Sequence, residues 1–162
     1  MFSRAFIVAL LVGVAFGASS ISVSVKNCTK STDEGKINSL VVSPPSPEKV
    51  NTNFTVGGNG VVDVAITDGT YKLVAKVGPI TVLNEQGDIC KSQKFVLPEN
   101  AGYLYYNAVP CPISKGANVQ VAMTAFITSA APDDTVTISV TATDSGTKNE
   151  ILCIDTTAVV KG

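Results

Sequence analysis

Between Thr135 and Thr143 the chain alternates without a break. Thr135, Thr137, Ser139, Thr141 and Thr143 fall on one side, and Val136, Ile138, Val140 and Ala142 on the other. A period of two residues puts successive side chains on opposite faces of an extended strand, so this segment is expected as a half-buried β-strand. Ile21–Val25 alternates in the same way, and Ile37–Val42, Tyr71–Val77, Ile80–Leu83, Gly102–Val109, Val119–Ile127 and Glu150–Val159 read as further strands or extended sequence. Turn residues separate these runs. Gly57-Gly58-Asn59-Gly60 reads as a hairpin turn between Thr52–Val56 and Val61–Thr67, and Asp68-Gly69 as a second hairpin signal. Gly78-Pro79 breaks a strand, a polar loop with Gly87 leads to Cys90, and Pro44-Pro45-Ser46-Pro47 cannot donate ladder hydrogen bonds. No helical period competes. Eight or nine short strands at roughly ten-residue spacing imply an all-β antiparallel sandwich or barrel.

The start of the chain reads differently. Residues 1–18 have the form of a signal peptide: Arg4, a 12-residue apolar core from Ala5 to Phe16, then small residues around Gly17 and Ala18. That core is too short to span a bilayer, which takes about 20 apolar residues. Cleavage after Gly17, Ala18 or Ser20 fits equally well. Residues 19–162 then form one domain. Four cysteines in an exported chain, Cys28, Cys90, Cys111 and Cys153, imply two disulfides. The sequons Asn27-Cys28-Thr29 and Asn53-Phe54-Thr55 make Asn27 and Asn53 candidate glycosylation sites.

Composition narrows the function. The chain has no histidine, and its 12 basic residues include one arginine, Arg4, inside the expected leader. The remaining 11 lysines against 13 acids leave a formal charge of 11 − 13 = −2. No basic cluster tracks phosphates, so nucleic acid is not an expected partner. Without histidine or free thiols, nucleophile–base hydrolysis and zinc sites lack their usual groups, and no metal or other cofactor is expected. Asp63, Asp68 and the pair Asp133-Asp134 sit at or beside turns, where aspartate is favoured for local hydrogen bonds. Lys72 and Lys76 share a strand face and read as a solvated or edge-strand pair. Tyr103, Tyr105 and Tyr106 cluster in one strand. Tyrosine can offer its ring to an apolar ligand while its hydroxyl finds a polar partner.

Several phrases taken in order resemble the ML (lipid-recognition) domain family, which includes lysosomal sterol carriers and fungal phosphatidylglycerol/phosphatidylinositol transfer proteins. They are Cys28 opening the domain, Pro44-Pro45-Ser46-Pro47, the strand text around Tyr71, Asp88-Ile89-Cys90, Cys111-Pro112-Ile113-Ser114-Lys115-Gly116, the step from Ile127 to Pro132, and Leu152-Cys153-Ile154. The resemblance covers Cys28 to about Ala158 and implies an immunoglobulin-like antiparallel β-sandwich with an apolar cavity between its sheets. It also implies the pairs Cys28–Cys153 and Cys90–Cys111. Carried over from the family, the cavity mouth falls between Val82 on one side and Ile127 and Ala131 on the other. Alternation adds Ile80 beside Val82, and Val121, Met123 and Ala125 beside Ile127. Tyr71, Leu73, Tyr103, Tyr105, Ile138 and Val140 complete the expected lining. Ala131 is small for its position and Pro132-Asp133-Asp134-Thr135-Val136 departs from the family phrase, which points to a wider or differently gated mouth.

The expected function is lipid binding and transfer without catalysis. A sterol or phospholipid would be held between the sheets by a monomer that touches membranes transiently, secreted or in a lysosomal or vacuolar lumen. The alternative is a non-catalytic extracellular immunoglobulin-like interaction module with the same strands and a filled core.

Overall fold

Alternation in β10 (Thr135–Asp144) is translated directly into burial. Ile138 and Ala142 are buried and Val136 and Val140 half-buried, while Thr135 and Thr137 face solvent. The computed structural model describes residues 18–162; the expected leader, save Ala18, lies outside them. Among the described residues eleven strands form two antiparallel sheets. The first layer contains β1 (Ser20–Asn27), β3 (Glu48–Lys49), β5 (Gly69–Val77), β6 (Ile80–Asp88), β10 and β11 (Glu150–Lys161), in the order β3-β1-β11-β10-β5-β6. The second contains β2 (Gly35–Ser43), β4 (Asn53–Val62), β7 (Gln93–Leu97), β8 (Gly102–Asn107) and β9 (Asn118–Ile127), in the order β2-β4-β9-β8-β7. A 3-10 turn at Pro98–Asn100 joins β7 to β8. Ile21, Ile66, Leu73 and Leu104 are among the most deeply buried side chains.

Three turn assignments are corrected. Gly57-Gly58-Asn59-Gly60 is the middle of the continuous strand β4, paired with β2 on one side and β9 on the other. Its glycines serve close backbone approach. A Cβ on Gly58 would run into the Ser39 carbonyl and one on Gly60 into that of Lys36, where a register shift crowds β2 onto β4. Gly87 likewise lies inside β6, because any side chain there would strike the Tyr71 hydroxyl. Asp68-Gly69 makes no hairpin; the chain crosses there from one sheet to the other. Gly78 does form the β5–β6 turn, with φ of 53°. Lys72 and Lys76 are exposed, but β5 is an interior strand, so they do not protect an edge.

The sulfurs pair as Cys28–Cys153 and Cys90–Cys111, with Cα separations of 4.8 and 5.6 Å. The first joins neighbouring strands of the six-stranded layer, where the Cys28 N–H also donates to the Cys153 carbonyl at 3.0 Å. The second ties the β6–β7 crossing to the segment after β8, and so links the two layers.

Candidate functional site: two apolar chambers between the sheets

The inner faces do not meet everywhere. Near the tip of the β5–β6 hairpin they enclose a chamber of about 350 Å³. Its six-stranded wall brings Ala75, Val77, Ile80, Val82, Val136 and Ile138 together with Ala158 and Val160 of β11. The opposite wall is Phe54, Leu104, Ala125 and Ile127, with Leu97, Pro98 and Ala101 at the β7–β8 turn and Ala131 and Pro132 beyond β9. The one charged residue in this lining is Glu99. Glu99 and Asn100 both hold left-handed backbone, φ of 54° and 59°, at the rim. For scale, an engineered dry cavity of roughly 150 Å³ takes benzene.

The lining residues exposed to solvent are Ile80 at the start of β6, Pro98 and Glu99 in the β7–β8 turn, and Pro132 after β9, which puts the opening among these three segments. Ile80 stands there 66% exposed; Val96 of β7, also exposed, pairs with Tyr103 and lies on the outer face. Ile80, Pro98 and Pro132 thus put apolar side chains beside the single carboxylate of Glu99 where the chamber meets solvent.

At the opposite end a second, smaller chamber of about 70 Å³ is lined by Tyr71, Tyr106, Val56, Val121, Met123 and Val140, among others. The Tyr71 and Tyr106 rings lie 4.1 Å apart between centroids, and Phe95 meets Tyr71 edge-on at 6.3 Å. Both hydroxyls are occupied: Tyr106 donates to the Ile89 carbonyl and Tyr71 to Gln93 Oε1, each at 3.1 Å. Burial, foremost, raises the pKa of both phenols, so they remain donors across the physiological range.

The expected lining is therefore divided. Ile80, Val82, Ile127, Ala131 and Ile138 line the larger chamber; Tyr71, Val121, Met123 and Val140 line the smaller. Leu73 is fully buried and lines neither. Tyr103 and Tyr105 are corrected outright, because they occupy the outer face of β8 while Leu104 and Tyr106 point inward. Tyr103 stacks on Phe126 at 5.4 Å, carries the Lys94 ammonium 3.9 Å from its ring centroid, and donates to Asn53 Oδ1 at 3.0 Å. That platform satisfies the ring on the surface. Two residues apart do share a face, but alternation alone does not say which face is inside. Glu99, Leu104 and Ala158 lie outside the expected lining, as do Ala75 and Val77, which the parity of Tyr71 and Leu73 on β5 offered.

Both sequons are exposed at strand ends, Asn53 at the start of β4 and Asn27 at the end of β1. Asn27 Oδ1 accepts the Thr29 N–H at 2.9 Å, and the Thr29 hydroxyl donates to the Cys153 carbonyl at 3.1 Å. The one group of metal-ligand types among the described residues is Cys28, Cys153 and Asp155, and its two sulfurs are joined in a disulfide.

Acid residues set a pH response. Asp144 is buried at the β10–β11 turn, and the Gly146 N–H, foremost, holds its pKa below the usual carboxylate value. Asp88 is held low by Lys91, foremost, and by the Cys90 N–H. A depressed carboxylate stabilises the fold above its unfolded pKa of about 3.9, and that contribution is lost as pH falls through the folded value. Glu150 has the opposite sign, since burial and then Asp33 raise its pKa, so protonating it favours the fold. Urea unfolding should accordingly show stability level or slightly higher at about pH 5 than at about pH 7, and falling below about pH 4. A steady decline from pH 7 to 5 would contradict these assignments.

Comparison with known proteins agrees with the architecture. Residues 22–160 match the family model described as ML domain. A Dictyostelium discoideum protein provisionally named a phosphatidylglycerol/phosphatidylinositol transfer protein is 32% identical over 149 residues, covering 92% of this chain and 94% of its own. A Niemann-Pick type C2 protein from Japanese carpenter ant superposes with a TM-score of 0.55 at 17% identity, over 83% of this chain and 96% of that one. Chicken MD-1, solved with lipid IVa, gives 0.53 at 14%, over 91% and 99%. These two likenesses are of fold, an all-β immunoglobulin-like antiparallel sandwich. With its matched span covering nearly all the described residues, the chain belongs to the ML domain family.

Proposed function

We propose that this protein binds a lipid in the larger chamber and carries it between membranes, without catalysis. The observation that carries this reading is the chamber itself, about 350 Å³ with a lining of aliphatic, proline and phenylalanine side chains and one rim carboxylate. A filled interaction module of the same strands would have no use for that space, which forfeits dispersion contacts on every side. Burial supplies the affinity at about 25 cal/mol per Å² of apolar surface, so a few hundred Å² of tail or ring is worth several kcal/mol. The ligand class follows from the walls: an acyl tail or sterol ring, with any polar head left at the rim.

The exposed Ile80, beside Pro79 at the hairpin tip, suits brief membrane contact next to the opening. The absence of histidine from the chain supports a carrier over an enzyme. Disulfides fit a secreted or lysosomal location, a monomer is sufficient for the cycle, and Asn53 and Asn27 are glycan acceptors within the same reading.

Organic extraction of protein purified from an oxidising eukaryotic host tests this. Mass spectrometry should find about one lipid per chain. Protein that yields no lipid and also takes up neither fluorescent sterol nor fluorescent phosphatidylglycerol would refute it.

A further inference from the structure

The two chambers lie end to end along the strands, lined by different residues. On β10 the lining passes from Ile138 in the larger to Val140 in the smaller, on β9 from Ala125 to Met123, and on β8 from Leu104 to Tyr106. Strands β4 and β11 switch in the same way, between consecutive inward positions. On β5 alone a residue is left between. Tyr71 lines the smaller chamber and Ala75 the larger, while Leu73, pointing the same way, lines neither and has no exposed surface. Its Cα partner on β10 is Val140, at the point where that strand changes chamber. Inward positions on a strand are about 7 Å apart, so the Leu73 side chain spans the interval between the two spaces.

We propose that Leu73 is a specificity-determining residue that ends the lipid site and sets how deep an acyl chain reaches. This rests on the carrier reading above. A tail entering past Ile80 and Val82 fills the larger chamber and then meets Leu73. Methylenes beyond that point have no apolar space to enter, although about 70 Å³ lies on the other side. Each methylene buried before the wall should tighten binding about fourfold, and each one after it should add little. Removing the wall joins the chambers and lengthens the site.

The test uses the full chain and a homologous series of phosphatidylglycerols from didecanoyl to distearoyl. Affinity in the wild type should rise with chain length and then level off. In Leu73→Ala the rise should continue by several further methylenes before levelling, giving a tenfold or greater preference for the longest chains over wild type. Leu73→Val, which keeps a branched side chain, should give a smaller shift in the same direction and serves if the alanine variant does not fold. The proposal is overturned if the folded variants level off at the wild-type length. Wild-type protein that takes up sterol but no phosphatidylglycerol of any length overturns it too, while leaving the carrier reading intact. Protein that takes up neither sinks both.

Discussion

Replacing Cys28 and Cys153 with serine should lower the free energy of unfolding by about 5 kcal/mol, against about 3 kcal/mol for replacing Cys90 and Cys111. The difference comes from loop length, 125 residues closed by the first bridge and 21 by the second. In the chain-entropy account a longer loop removes more freedom from the unfolded ensemble, growing with the logarithm of its length. For most domains the total is 5–15 kcal/mol, so the first loss alone approaches the lower bound. A hollow sandwich sits low in that range, because walls around empty space make fewer contacts than a dense core. Denaturant titrations of the two double-serine variants decide the matter. If the Cys28–Cys153 variant proves the more stable of the two, loop entropy is not what these bridges contribute.

Ala125→Phe should cut lipid uptake by about two orders of magnitude while leaving the protein as stable as wild type, or more stable by about 1–2 kcal/mol. Ala125 is buried on β9 and faces the larger chamber. In a close-packed interior the same enlargement forces rotamers and backbone apart and costs about 1–3 kcal/mol. Here the phenyl ring has space to enter and displaces several ligand methylenes, each worth about 0.8 kcal/mol. Thermal unfolding and fluorescent lipid uptake are read on one sample. A variant destabilised by several kcal/mol would mean that the chamber is not available space, and the carrier reading would lose its main support.

Much of the framework was legible because strand alternation is enforced by burial. Val136–Ala142 and Val121–Ile127 present their apolar faces inward as their spacing requires. The glycines of β4 were misread because the sequence cannot distinguish a glycine that bends the chain from one that admits a neighbouring backbone. Only the pairing partner, Ser39 or Lys36, makes that choice. β7 escaped notice because an edge strand buries little, and Phe95 is its one buried side chain. Ring chemistry suggests an inward place for Tyr103 and Tyr105, yet for Tyr103 a surface partner in Phe126 and a cation in Lys94 meet the same need outside. The division into two chambers was not legible at all. It depends on how far apart the layers stand at each level, a property of all the inner side chains together.

The placement of the Cys90–Cys111 bond leaves the two ends of one flank differently tied. Along the flank formed by edge strands β6 and β7, the chain crosses between layers at residues 88–93, and the bond sits in that crossing. At the other end of the same flank each edge strand turns back into its own sheet, so no covalent link spans the gap between Ile80 and Leu97. The flank is thus built like a clothes-peg, pinned at its heel by the bond and joined across its tips by no covalent link. A spreading of the sheets at that end would therefore stretch no disulfide.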